Sequence, residues 1–128
     1  MQFNSLIPEL SVTDINKSKE FYLNLGFSIK YERPENKFCF LELEKNQIMI
    51  EQINDNWNTG SLEYPFGRGI NISMSVSNID ELYKNIINKN IKIFKELETH
   101  TYKVNDIDYE DKEFLIQDPD GYLLRFNN

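Results

Sequence analysis

At 128 residues, with 40% apolar and 27% charged side chains, the chain is sized for one domain whose core takes roughly two-thirds of its unfolded surface out of water. Its 21 acidic and 14 basic side chains leave a net charge of -7, which repels nucleic acid and anionic membrane and draws in cations. No apolar run reaches the ~18 residues of a membrane span and the start at Met1 lacks a signal-peptide pattern, so a cytoplasmic protein is expected.

From Phe3 to Val12 the residues are extended and partly alternating, with Pro8 tolerable only where no ladder donor is needed. Asp14 has the short acceptor side chain of a helix N-cap. Ile15, Ser18, Tyr22 and Leu25 then recur on one helical face, and Gly26 closes the helix in the left-handed conformation. Phe27 to Arg33, Lys37 to Leu43 and Gln47 to Gln52 read as three strands separated by the turn residues of Pro34-Glu-Asn and Glu44-Lys-Asn. Lone Cys39 lies inside the second of these and reads as a small buried hydrophobe. Residues 54 to 68 are rich in Asn, Gly, Pro and Asp and form a connection, with Trp57, Tyr64 and Phe66 as expected anchors.

The second half opens with a strand from Ile70 to Ser77 and caps a helix with Asn78. Ile79, Leu82, Tyr83, Ile86 and Ile87 mark its apolar face, and Asn90 stands where Gly26 stood. Strands are predicted over Lys92 to Lys103, bent near Glu98, over Lys112 to Gln117, and over Tyr122 to Phe126, the last two joined by the tight turn Asp118-Pro-Asp-Gly121. The acidic run from Asp106 to Glu113 reads as a solvated face beside a hairpin. Val12 matches Val76, Ile15 matches Ile79 and Gly26 matches Asn90, each pair 64 positions apart. One βαβββ unit is thus used twice, in an α+β domain with modules at about 1–53 and 69–128. A ligand cleft is expected between the copies.

The run Val-x-Asp-Ile-x-x-Ser-x-x-Phe-Tyr-x-x-Leu-Gly-Phe from Val12 to Phe27, with the closing Asp118-Pro-Asp-Gly-Tyr-Leu-Leu-Arg-Phe126, resembles the vicinal oxygen chelate superfamily. That superfamily includes glyoxalase I, extradiol dioxygenases, and fosfomycin and bleomycin resistance proteins. Tyr31-Glu-Arg-Pro-Glu, Gln47-Ile-Met-Ile-Glu-Gln, Trp57-Asn-Thr-Gly and Pro65-Phe-Gly-Arg-Gly are most similar to the bleomycin resistance branch. The resemblance implies a curved sheet from each module and a homodimer, often formed by module exchange.

Metal-using members of such a family place His, Gln or Glu on the first strand of a module and Glu on its last. The matching positions here are Ile7, Asn71 and Arg125. An apolar group, an amide and a guanidinium make no cation site, so neither a metal nor another cofactor is expected. Glu51 is the remaining carboxylate near such a position, and a one-residue uncertainty in register leaves its face open. His100, the only histidine, lies away from these positions and reads as a polar surface residue.

Nine Phe, seven Tyr and one Trp are more aromatics than two helices and eight strands need for packing. Phe38 and Phe40 alternate on one strand face, Trp57 lies in the connection and Tyr102 lies where the bent strand runs toward its hairpin. In the bleomycin resistance branch, flat drug rings are held between tryptophan and phenylalanine, and acidic walls receive a cationic tail. The resemblance therefore implies a Trp57–Phe38 sandwich, with Phe40, Tyr102 and Arg125 as further ligand-binding residues. Arg125 is either an anion contact or the structural partner of a carboxylate such as Glu9 or Glu51, and the structural role is favoured. The expected function is sequestration of a cationic, bleomycin-like or similar flat aromatic ligand without catalysis. The alternative is a metal-dependent enzyme of the same superfamily, such as a glyoxalase I-like lyase, thiol transferase or dioxygenase.

Overall fold

The computed structural model describes residues 1–128 as two compact units, Met1–Phe66 and Gly67–Asn128, each a four-stranded mixed sheet with one helix. The first unit runs β1 (Glu9–Val12), α1 (Ile15–Leu25), β2 (Ser28–Arg33), β3 (Phe38–Leu43) and β4 (Asn46–Gln52), in sheet order β1-β4-β3-β2. The second runs β5 (Asn71–Ser75), α2 (Ile79–Asn88), β6 (Lys95–Val104), β7 (Ile107–Gln117) and β8 (Leu123–Asn127), in the corresponding order β5-β8-β7-β6. This is the expected α+β pair of βαβββ modules.

The helices end as the repeat requires. Asp14 accepts hydrogen bonds from the Asn16 and Lys17 amides and Asn78 from that of Glu81, satisfying donors that the first turn leaves open. At the other end Phe27 donates to the Tyr22 carbonyl at 3.1 Å, and 64 residues later Ile91 donates to that of Ile86 at 3.2 Å. Gly26 and Asn90 carry the positive φ that makes both closures possible, 110° and 58°.

In the first unit, Leu10, Val12, Cys39, Leu41, Ile48 and Ile50 share one face by register and are buried, as are Ile15, Tyr22 and Leu25 of α1. In the second, Met74, Phe114, Ile116, Leu124 and Phe126 form the equivalent layer, and Tyr83 of α2 meets Phe114 at 5.0 Å. Burial of these side chains is worth roughly 1.5–3 kcal/mol each.

Three expectations shift. The first strand is four residues long instead of starting at Phe3, because Pro8 has no amide to give and residues 1–8 are held otherwise: Gln47 accepts from the Asn4 amide at 2.7 Å and donates to the Gln2 carbonyl at 2.8 Å. The strand predicted from Lys112 begins at Ile107. Asn105 and Asp106 both adopt positive φ and close a two-residue hairpin, so the acidic run is itself strand, with its solvated character kept. The bend expected near Glu98 is present, as a register shift between Lys95 and Glu98. In the connection only Phe66 is buried, while Trp57 and Tyr64 lie open.

Candidate functional site

Each sheet has a second face, turned away from the residues that pack with its helix. In the first unit the register puts Glu9, Ser11, Met49, Glu51, Phe38, Phe40, Tyr31 and Arg33 on that face, because Glu9 aligns with Met49, Ser11 and Phe38 with Glu51, and Phe40 with Met49 and Tyr31. The face left open for Glu51 by sequence is thereby fixed.

Phe38 and Phe40 are on it but nearly covered. Tyr31 stacks on Phe40 at 5.2 Å and lies 5.8 Å from Phe38, and Phe3 meets Phe40 edge-on at 5.4 Å. The Arg33 guanidinium sits 5.3 Å from the centre of both the Tyr31 and the Phe38 ring, a cation held by two aromatic faces. Trp57 is 66% exposed and hydrogen-bonds the Glu9 carboxyl.

Burial, and then the charge of nearby Glu51, push the Glu9 carboxyl above its ordinary value, with the Trp57 bond opposing them. Two carboxylates thus share a partly desolvated patch beside an open indole. Cys39 lies on the helix-packed side, where burial first and Glu32 second push its thiol up to about 11; it is no nucleophile at neutral pH.

In the second unit the helix-free face carries Asn71, Ser73 and Ser75 of β5, Arg125 and Asn127 of β8, Glu113 of β7, and Glu98, His100 and Tyr102 of β6. Ser73, Ser75, Tyr102, Asp111, Arg125, Asn127 and Asn128 line a polar cleft of about 460 Å³. Ser75 donates to the Asn127 amide oxygen at 2.7 Å, and the Asn127 amide nitrogen donates to Ser73 at 2.8 Å. Tyr102 stacks on Tyr109 at 5.7 Å. Of the five residues expected to bind ligand, Phe38 and Phe40 therefore share one sheet face in the first unit, with Trp57 in the following loop, and Tyr102 and Arg125 share a cleft in the second.

The carboxylate beside Arg125 is Glu113, at 3.6 Å, in place of the expected Glu9 or Glu51. Adjacent strands explain this: Asn127 pairs with Glu113, so Arg125 on β8 has that carboxylate two positions along on β7. Glu113 also lies 3.5 Å from His100, which reaches Glu98 at 3.2 Å.

The residues at the superfamily's metal positions do not fit a divalent ion. Ile7 precedes β1, Asn71 opens β5 opposite Leu123, and Arg125 supplies positive charge where a ligand would supply negative. No group of three or more His, Cys, Asp or Glu side chains is arranged to hold a metal ion.

A duplicated βαβββ architecture with these two helix-free faces defines the class of protein. The chain matches the family model described as Glyoxalase/Bleomycin resistance protein/Dioxygenase superfamily over residues 3–126, and it belongs to that superfamily. A superfamily member from Vibrio splendidus 12B01 is 37% identical, covering 93% of each chain, at a TM-score of 0.43. TioX from Micromonospora sp. ML1 shares the fold at a TM-score of 0.76, with 15% identity and 98% of each chain covered. A glyoxalase/bleomycin resistance protein/dioxygenase from Alicyclobacillus acidocaldarius does so at 0.68, with 20% identity over 97% of this chain and 89% of its own. No curated protein matches the chain. No helix is long and apolar enough to cross a membrane.

Proposed function

We propose that the protein binds a flat, cationic small molecule of the bleomycin type and holds it without chemical change, acting as a homodimer in the cytoplasm. The observation that carries this reading is the pairing of aromatic and acidic groups on one face. Arg33, a planar cation of the chain itself, rests on Tyr31 and Phe38, and Phe38 stands directly opposite Glu51. A ligand with a planar ring and a positive tail finds the same two features, ring faces and the Glu9–Glu51 pair, with Trp57 open beside them. Ring stacking adds about 0.5–1.5 kcal/mol per pair beyond burial, and the net charge of -7 steers a cation inward. Similarity to the bleomycin resistance branch supports the ligand class, and the poor fit of Ile7, Asn71 and Arg125 to a metal supports binding over catalysis.

Trp57 is the only tryptophan, so its fluorescence reports on this patch alone. Titration with metal-free bleomycin is expected to change that emission with saturation at micromolar drug. A flat titration through that range counts against the reading.

A further inference from the structure

All four strands of the second sheet contribute to the polar cleft on its helix-free face: Ser73 and Ser75 from β5, Arg125 and Asn127 from β8, Asp111 from β7 and Tyr102 from β6. Its volume of about 460 Å³ is that of a small-molecule site. Tyr102 supplies the only ring of the lining, so the cleft offers hydrogen bonds and no pair of apolar walls to enclose a flat aromatic ligand.

The polar groups are fixed in sense. Ser75 donates to the Asn127 amide oxygen and the Asn127 amide nitrogen donates to Ser73, so the Ser73 hydroxyl, already an acceptor, keeps its own hydrogen to give. The side-chain oxygen of Asn128, also in the lining, accepts from the Lys112 amide at 2.9 Å, which leaves its NH2 group to donate. Asp111 is the acceptor among them. Lys112 does not neutralise it, since that ammonium turns to Asp80 of α2 at 3.2 Å. His100, opposite Asp111 on β6, is engaged by Glu98 and Glu113. A simple cation could answer Asp111 but has no lone pair for the Ser73, Asn128 and Arg125 donors. An anion could answer those donors but meets Asp111, and Arg125 already has Glu113 at 3.6 Å. The lining therefore selects a ligand that both gives and takes hydrogen bonds.

A second feature narrows the class further. Tyr102 stacks on Tyr109 at 5.7 Å with 22° between the rings, and both stay about half exposed, so a pair of aromatic rings stands open at the rim of the cleft. We propose that the cleft binds a neutral polyhydroxylated ring, a pyranose sugar either free or carried on a larger molecule. Each hydroxyl brings one donor and two lone pairs, so adjacent hydroxyls give to the two oxygens of Asp111 while others accept from Ser73, Asn128 and Arg125. The C–H face of the sugar is apolar with its hydrogens slightly positive, and it covers the Tyr102 ring, whose face is negative. The assignment uses none of the residues given to the drug on the first sheet, so neither reading depends on the other.

Amide-resolved NMR of the wild type, titrated with the methyl glycosides of glucose, galactose and mannose to about 50 mM, tests this, because an open polar site is expected to bind on the order of millimolar. Saturable shifts are expected at Ser73, Tyr102, Asp111 and Asn127 from at least one of them. Tyr102→Ala and Asp111→Asn are each expected to weaken binding about 5-fold or more with the rest of the spectrum unchanged, whereas Tyr102→Phe, which keeps the ring, weakens it by less than about 2-fold. The free sugars, run in parallel, separate the two sources. Affinity for the glycoside at least equal to that for the free sugar marks a ring carried on a larger molecule, and tighter binding of the free sugar marks the monosaccharide itself. No saturable shift from any of these sugars, binding indifferent to both Tyr102→Ala and Asp111→Asn, or equal shifts from L-alanine or sodium acetate at the same concentration overturns the assignment. None of those results bears on the drug titration followed at Trp57.

Discussion

Glu9 and Glu51 are diagonal neighbours on the helix-free face of the first sheet, Glu9 on β1 opposite Met49 and Glu51 two positions along on β4.

 
Asn54 donates to Glu51 at 2.7 Å and Trp57 to Glu9, so both carboxylates are held by neutral donors. Because burial and the charge of Glu51 raise the Glu9 carboxyl above its ordinary 4.5, the folded state holds that proton more tightly than the unfolded one. The associated stability is present below pH 4.5 and is lost as pH rises through the folded value. Glu9→Gln is therefore expected to melt at a higher temperature than the wild type at pH 7, with the difference shrinking below pH 4.5. Thermal melts at pH 4 and pH 7 check the sign, and a variant less stable at pH 7 contradicts it.

The Arg33 guanidinium lies 5.3 Å from the ring centres of Tyr31 and Phe38, the faces that the proposed binding mode assigns to a cationic ligand. An exposed contact of this type is worth about 0.5–1 kcal/mol, so Arg33→Ala is expected to bind metal-free bleomycin about 2- to 5-fold more tightly. Parallel titrations of the two proteins measure this. Weaker binding by the variant would mean that Arg33 is a ligand contact and not an occupant of the site.

Gly67 has φ +70°, and a methyl group there would come within 2.7 Å of the Tyr122 ring. Gly67→Ala meets both left-handed strain and a ring held next to the buried Asp118 turn, whose carboxylate accepts from the Tyr122 amide at 3.0 Å. The expected loss is at least about 1–2 kcal/mol, read by urea denaturation. Gly60→Ala, with nothing near its added methyl group, is the control.

The helices were legible because their faces repeat at 3.6 residues and their ends carry Asp14, Gly26, Asn78 and Asn90 in capping roles that local chemistry dictates. The hairpin from Lys95 to Gln117 was harder to read. Its acidic strand has no apolar alternation, and what makes it strand is the Asn105-Asp106 turn and pairing with β6. Phe38 and Phe40 could be placed on one face from alternation alone, but their coverage by Tyr31, Phe3 and Arg33 depends on strand register and on the path of residues 1–8. The Glu113 partner of Arg125 was missed for the same reason: it lies 12 positions away in sequence and becomes a neighbour only through the β7–β8 ladder.

Calorimetric titration of the wild type and Glu51→Gln with metal-free bleomycin, each at low and at physiological salt, tests the acidic and aromatic face most directly. The account predicts one drug bound per chain with a dissociation constant on the order of micromolar, weakened about tenfold by the substitution and weakened further by salt. Absence of binding, or an affinity indifferent to both the substitution and the salt, would contradict it.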